Sequence, residues 1–376
     1  MPELAGGEVV IAPALFLSFL SPEIYSIAAL ALASLIFMHR GFRGGPPLPE
    51  GSGSLLAVFL IMAMLAVIGP TFIYGGFGRD FEAFKFFIAA AMFFVGINLG
   101  LAPKKEAPIL TIFFLVLTVY YATHSTNESI LNQDALLYPP DNNHTAAMVA
   151  AFLPLVVTRT KGRLRFICLA LLIALAAFVS SRALLALTVV SFAVSLDAVR
   201  KNRFILAIFV ATAVAILLAR GLSLGNFSDQ LRLQIIQVSL DFARTGGAHA
   251  FNFGEAAFTN FLNVYPIYRR LEIQHAHNML LQIWAAYGVL PLLALLAFLA
   301  NVALKALRLR NQLTLLTLGI IIGIGMIESL ITDIRAFGTI MFALGYSYSR
   351  GRPIDAMNFN SLRRSDTVTS PKVSHS

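Results

Sequence analysis

The chain has 376 residues, 58% of them hydrophobic and only 12% charged, with a formal net charge of +9 and a mean hydropathy of +0.78. A soluble chain of this length carries about twice that charge fraction, so composition points away from an ordinary soluble enzyme. A single cysteine, Cys168, excludes an intrachain disulfide framework and a cysteine-rich metal site, and its place in an apolar run reads as helix packing.

Val9–Leu20 and Ile24–Met38 flank Ser21-Pro22-Glu23, a helix-start signal, and form either two short helices or one kinked helix. Apolar segments follow at 54–72, 82–101, 108–123, 143–158, 164–180, 182–199, 203–219, 287–305, 312–331 and 336–348. Each approaches the ~20 residues that cross a bilayer. Together they predict an all-α polytopic membrane bundle of 11–12 transmembrane helices with one long periplasmic loop. Gly96-xxx-Gly100 and Gly319-xxx-Gly323 have the small-residue spacing that lets helices approach closely.

Basic residues sort by loop. Arg40, Arg43, Lys104, Lys105, Arg159 to Arg165, Arg200 to Arg203, Lys305 to Arg310 and the tail after Arg350 fall in one alternate set. The positive-inside rule puts that set in the cytoplasm, so most of the positive charge reports topology and not a nucleic-acid partner. The other side is poor in lysine but holds Arg182, Arg232, Arg269, Arg270 and Arg335, together with Lys85. Arginine's planar, always-charged fork suits phosphate and carboxylate. The alternative is ordinary pairing with acids such as Asp229 and Glu255. The expected organisation is transmembrane helices over 1–219, a periplasmic loop over 220–277, further spans over 278–349 and a disordered cytoplasmic tail over 350–376. The charge pattern implies a multi-pass chain.

Inside the long loop, "SDQLRLQIIQVSLDFA" places Leu231, Ile235, Val238 and Phe242 at helical spacing. Ser228 or Asp229 can cap that helix. "RTGGAHAFNFG" then breaks it with glycines. Four features carry candidate chemistry. Arg182 follows two serines at a tight turn, and either snorkels to head groups or stands as a fixed cation in a cavity. Arg232 is either solvated or part of the same site. His275 and His277 are two apart, so on a helix they do not share a face. No acid or cysteine stands near them at a metal-ligand spacing, so the expectation is no metal and no cofactor. His277-Asn278 opens an apolar helix, where a histidine can take or give a proton near neutrality. Glu328, Asp333 and Arg335 are expected to pair with one another.

"HAHNMLLQIWAAYGVLPLLALLAFLA" resembles the His-Asn motif of the bacterial O-antigen ligase and O-antigen polymerase superfamily. "AAFVSSRALLALTVV" is similar to that family's Ser-Arg motif, and "DNNHTAAMVAAFLPLVV" to the helix before it. "DQLRLQIIQVSLDFARTGGAHAFNFGEAAF" resembles its arginine helix and glycine-rich turn, although the Pro-Leu-x-Gly common there is absent and no glycine follows Arg182. The likeness covers Asp141 to Leu299. It implies a metal-independent, inverting glycosyltransferase whose donor is a glycan on undecaprenyl diphosphate and whose acceptor is a lipid A core or a growing glycan, among membrane lipids and with no nucleic acid. It also implies a bacterial inner membrane with the active site facing the periplasm. By that resemblance Arg182 and Arg232 bind the diphosphate and His277 serves the acceptor hydroxyl, with Asn278, His275, Arg269 and Arg270 as accessory candidates. Ligation and repeat-unit polymerisation share this donor chemistry. A lipid-linked sugar transporter is the rival class, and it would more often show inverted repeats and charges at mid-membrane.

Overall fold

The structure is a computed structural model describing residues 21–43, 47–68, 84–101, 142–178, 227–245, 251–270, 275–326 and 328–350, with short stretches at 18, 111–112, 115–119, 184–185 and 187–189. Arg182, the segment 203–219, nearly all of the loop 124–142 and the tail after Arg350 lie outside the described residues. So does all of the first apolar segment, Val9–Leu20, except Ser18.

In chain order the described helices are α1 (Pro22–Arg43), α2 (Ser52–Ile68), α3 (Lys85–Gly100), α4 (Asn142–Ala151), α5 (Leu153–Arg159) and α6 (Gly162–Phe178). After these come α7 (Phe227–Thr245), α8 (Glu255–Leu262), α9 (Pro266–Arg270), α10 (Met279–Tyr287), α11 (Val289–Arg308), α12 (Gln312–Gly325) and α13 (Ile334–Arg350). α1 starts at the expected signal. Ser21 Oγ accepts from Ile24 N at 3.4 Å, and Pro22 occupies the first helical position, where its missing N–H costs nothing.

α3 and α13 make the most extensive contact, with α1 and α2 packed on α3 and with α4 and α12 packed on α13. Phe59 stacks on Phe298 with centroids 4.7 Å apart, while Phe86 meets Tyr287 and Phe337 edge-on at 5.1 and 5.6 Å. The close approach of α3 to α13 depends on glycine. A Cβ on Gly96 would stand 2.2 Å from the Phe342 carbonyl oxygen, and one on Gly345 would stand 2.2 Å from that of Phe93. Gly96→Ala is therefore expected to cost about 1–3 kcal/mol through overpacking, read from a denaturant titration. The second glycine pair behaves otherwise: Gly319 and Gly323 meet no atom within 4 Å, so their spacing marks no contact here.

The loop helix expected from periodicity is α7. Leu231, Ile235, Val238 and Phe242 all pack on the core cluster, and Phe242 lies 4.4 Å from Phe261 of α8. The glycine-rich stretch after α7 leads into a cap for another helix. α10 ends at Gly288 with φ 104°, a conformation that suits glycine. A helix leaves its last four carbonyls without intrahelical partners. Here all four are taken from one short segment. Asn252 Nδ2 donates to Trp284 O and Ala285 O at 3.0 and 2.9 Å. Gly254 N donates to Ala286 O at 2.8 Å, and Asn252 N to Tyr287 O at 3.1 Å. Asn252→Ala strips the Ala285 carbonyl of this buried donor and is expected to cost about 1–3 kcal/mol, measurable as a lowered thermal midpoint.

The expected 11–12-span bundle with a long periplasmic loop is corrected. Among the described residues two helices, Pro22–Phe42 and Val289–Arg308, are long and apolar enough to cross a membrane. Ser52–Ile68, Lys85–Gly100, Asn143–Thr158 and Gln312–Gly325 are apolar but only 10–17 residues long. Seventeen residues reach ~26 Å, short of a ~30 Å hydrocarbon layer. Two of the runs read as spans are broken within: 143–158 at Phe152 ahead of Pro154, and 312–331 at Gly325. α13 is buried almost throughout, with Arg335, Thr339, Ser347 and Ser349 inside. Its apolar side chains meet other helices. What stands is an all-α chain around a buried core. The transmembrane and inner-membrane assignments and the multi-pass localisation with a periplasm-facing site do not stand, and neither does the sorting of basic loops that rested on them.

Candidate functional site

The His-Asn stretch forms a tight loop ahead of α10. Asn278 is the N-cap: its side-chain oxygen accepts from Leu281 N at 2.9 Å, satisfying one of the helix's first amides. Its Nδ2 donates to Met326 O at 3.0 Å and its backbone N donates to Ser329 Oγ at 3.1 Å. The loop is thus tied to the extended turn between α12 and α13.

His277 sits in this loop with φ 50° and its ring partly exposed. Nδ1 stands 3.5 Å from Glu328 Oε2. A carboxylate can only accept, so Nδ1 faces it as a donor, and Nε2 remains the proton-accepting nitrogen. The separation is longer than a tight hydrogen bond.

A cavity of ≈ 860 Å³ opens at His275, two residues before His277; neither His277 nor Glu328 lines it. Its polar lining includes Lys85, His144, His275, Thr332, Asp333 and Arg335. α1 contributes Glu23, Ser26, Ile27 and Leu30 from one helical face, and Phe84 and Ile88 extend the apolar wall. Lys85 is buried and its Nζ donates to Glu255 Oε2 at 2.6 Å, so the first residue of α8 reaches across to α3. Arg335 grips Asp333 with two bonds, Nε to Oδ1 at 3.1 Å and a terminal nitrogen to Oδ2 at 2.6 Å. The His144 ring nitrogen Nε2 stands 3.3 Å from Ser329 O and 3.1 Å from Thr332 Oγ1. A carbonyl oxygen cannot donate, so that nitrogen carries the hydrogen. Ser329 therefore touches the cavity wall through its carbonyl and the His-Asn loop through its hydroxyl.

Of the residues expected at the site, His275 lines the cavity, whereas His277 and Asn278 do not and instead contact Glu328 and Ser329. Arg269 and Arg270 end α9, are exposed and do not line the cavity. Arg232 belongs to α7, but its side chain is outside the described residues, as is the whole of Arg182. Asp333 and Arg335 pair as expected, whereas Glu328 turns to His277. Sequence reasoning missed Lys85 and His144 as lining groups. Their signal was a polar side chain opening or interrupting an apolar run. Among the described residues no group of three or more His, Cys, Asp or Glu is placed to hold a metal ion.

No protein-family model matches the chain, and no curated protein matches it. The resemblance to the O-antigen ligase and polymerase superfamily rests on the motifs quoted for it and on nothing further.

Proposed function

We propose that the chain is a glycosyltransferase that moves a glycan from undecaprenyl diphosphate to an acceptor hydroxyl. The observation that carries this reading is the amphiphilic cavity lined by His144 and His275, which Ser329 links to the loop that holds His277. Such a donor needs an apolar wall for its isoprenoid, cations for its diphosphate and a base near the acceptor. Ile27, Leu30, Phe84 and Ile88 supply the first, and Lys85 and Arg335 the second. These cations lie in the described cavity; Arg182 and Arg232, which the resemblance assigns to the diphosphate, have side chains outside the described residues. Each cation is already ion-paired, Lys85 with Glu255 and Arg335 with Asp333, so in this reading they serve the leaving diphosphate as N–H donors and not as unpaired charge. Nε2 of His277 takes the acceptor's proton as its oxygen forms the new bond to the anomeric carbon. The bond from that carbon to the diphosphate breaks, and undecaprenyl diphosphate leaves with the electron pair. Glu328 holds the imidazolium.

The test is incubation of the purified protein with a lipid-diphosphate glycan and two acceptors, a lipid A core and a second donor molecule. Glycan on the core is the result expected for ligation, and a lengthened lipid-linked glycan for polymerisation. Donor returned intact in both arms would sink the reading.

A further inference from the structure

We infer that Gln282 and Ser329 are positioning residues that hold His277 in its left-handed backbone conformation and so aim Nδ1 at Glu328. The inference rests on the proposed role of His277 as proton acceptor. Among the described residues two non-glycine residues have positive φ, His277 at 50° and Arg310 at 51°. Arg310 lies just past the end of α11, where a left-handed residue commonly terminates a helix. His277 comes before a helix, so that explanation does not apply to it. Its conformation is set by its neighbours. The amide on one side, Ala276 N, donates to Gln282 Oε1 at 2.8 Å. The amide on the other side, Asn278 N, donates to Ser329 Oγ at 3.1 Å. Both acceptors are buried side chains reaching in from outside the loop.

Gln282 is a costly residue at this place. It is fully buried, and its Nε2 has no hydrogen-bond partner. A methionine would fill similar volume without burying an unpaired donor. What the glutamine adds is the acceptor for Ala276 N. Gln282 N itself donates to Asn278 O at 2.8 Å, so one residue of α10 grips the loop on both sides of His277.

The test uses full-length protein with ¹⁵N-labelled histidine and no donor or acceptor, so it succeeds or fails whatever the transfer assay shows. With the ring neutral, His277 is expected to hold its proton on Nδ1, against the usual preference of free histidine for Nε2. Gln282→Met and Ser329→Ala should each shift His277 to a mixture of tautomers. Amide exchange at Ala276 or Asn278 respectively should rise about tenfold, the factor matching one hydrogen bond of ordinary net strength. Gln282→Glu, which keeps an acceptor oxygen, should leave Ala276 exchange near the wild-type rate. A purely space-filling role would not separate Glu from Met. An Nε2–H tautomer in the unmodified protein would overturn the inference. So would unchanged tautomer and exchange in both variants, or loss of the fold in both.

Discussion

Replacing His277 with glycine is expected to lower the proposed glycan transfer by about 10²–10⁴-fold, the usual contribution of a positioned acid or base, without lowering the thermal midpoint. The two halves of that result have separate causes. Transfer falls because the imidazole beside Glu328 is gone. Stability holds because a non-glycine residue at φ 50° carries backbone strain, of order 1 kcal/mol, which glycine relieves. Against that gain stands a partly exposed imidazole–carboxylate contact at 3.5 Å, a kind of pair that contributes little. Calorimetry and a single-turnover assay on the same preparation check both. A variant that loses the fold along with the activity would show His277 to be a structural residue.

Lys85→Met is expected to destabilise the chain by about 3–5 kcal/mol, because it leaves the Glu255 carboxylate buried without its partner. Lys85 and Glu255 are both nearly inaccessible, at 3% and 6%, which is why the loss is large and not the small cost of a surface pair. One carboxylate oxygen, Oε1, already has no hydrogen-bond partner. The double variant Lys85→Met/Glu255→Met should recover most of the loss, since apolar replacement of a whole buried pair is often neutral or better. It should still bind the lipid-diphosphate donor weakly, because the cavity has lost a cation. Denaturant midpoints for the single and double variants, with a donor-binding titration, separate the two effects. A double variant as unstable as the single one would mean that packing, not the uncompensated charge, sets the cost.

Much of the helix layout is legible in the sequence because it follows from apolar periodicity and breakers. Ser21-Pro22-Glu23 starts α1, and the stripe Leu231, Ile235, Val238 and Phe242 faces the core from α7. The environment of the helices is not legible in the same way. A helix buried among other helices and one buried in lipid are apolar for the same reason, and hydropathy does not tell them apart. α13 shows this, with Thr339 and Ser347 fully buried among its neighbours. Side-chain pairing across long separations is also hidden. Glu328 is nearer in sequence to Asp333 and Arg335 than to His277, yet pairs with the histidine. Lys85 meets an acid 170 residues away. Loop geometry decided both contacts, and no local spacing encodes them. The His-Asn stretch stands out in the sequence as a short polar motif at the start of an apolar helix; of its residues His275 lines the cavity and Asn278 caps α10.

Capture of all four terminal carbonyls of α10 by Asn252 and Gly254 has a bearing on how the molecule opens. The segment that supplies those donors also carries Glu255, and the helix that receives them carries the His-Asn loop at its other end. Residues 251–262 and 275–287 should then unfold as one foldon. A protease nick or a denaturant pulse that releases residues 251–254 would remove Lys85's counter-ion and slacken the histidine loop in a single event.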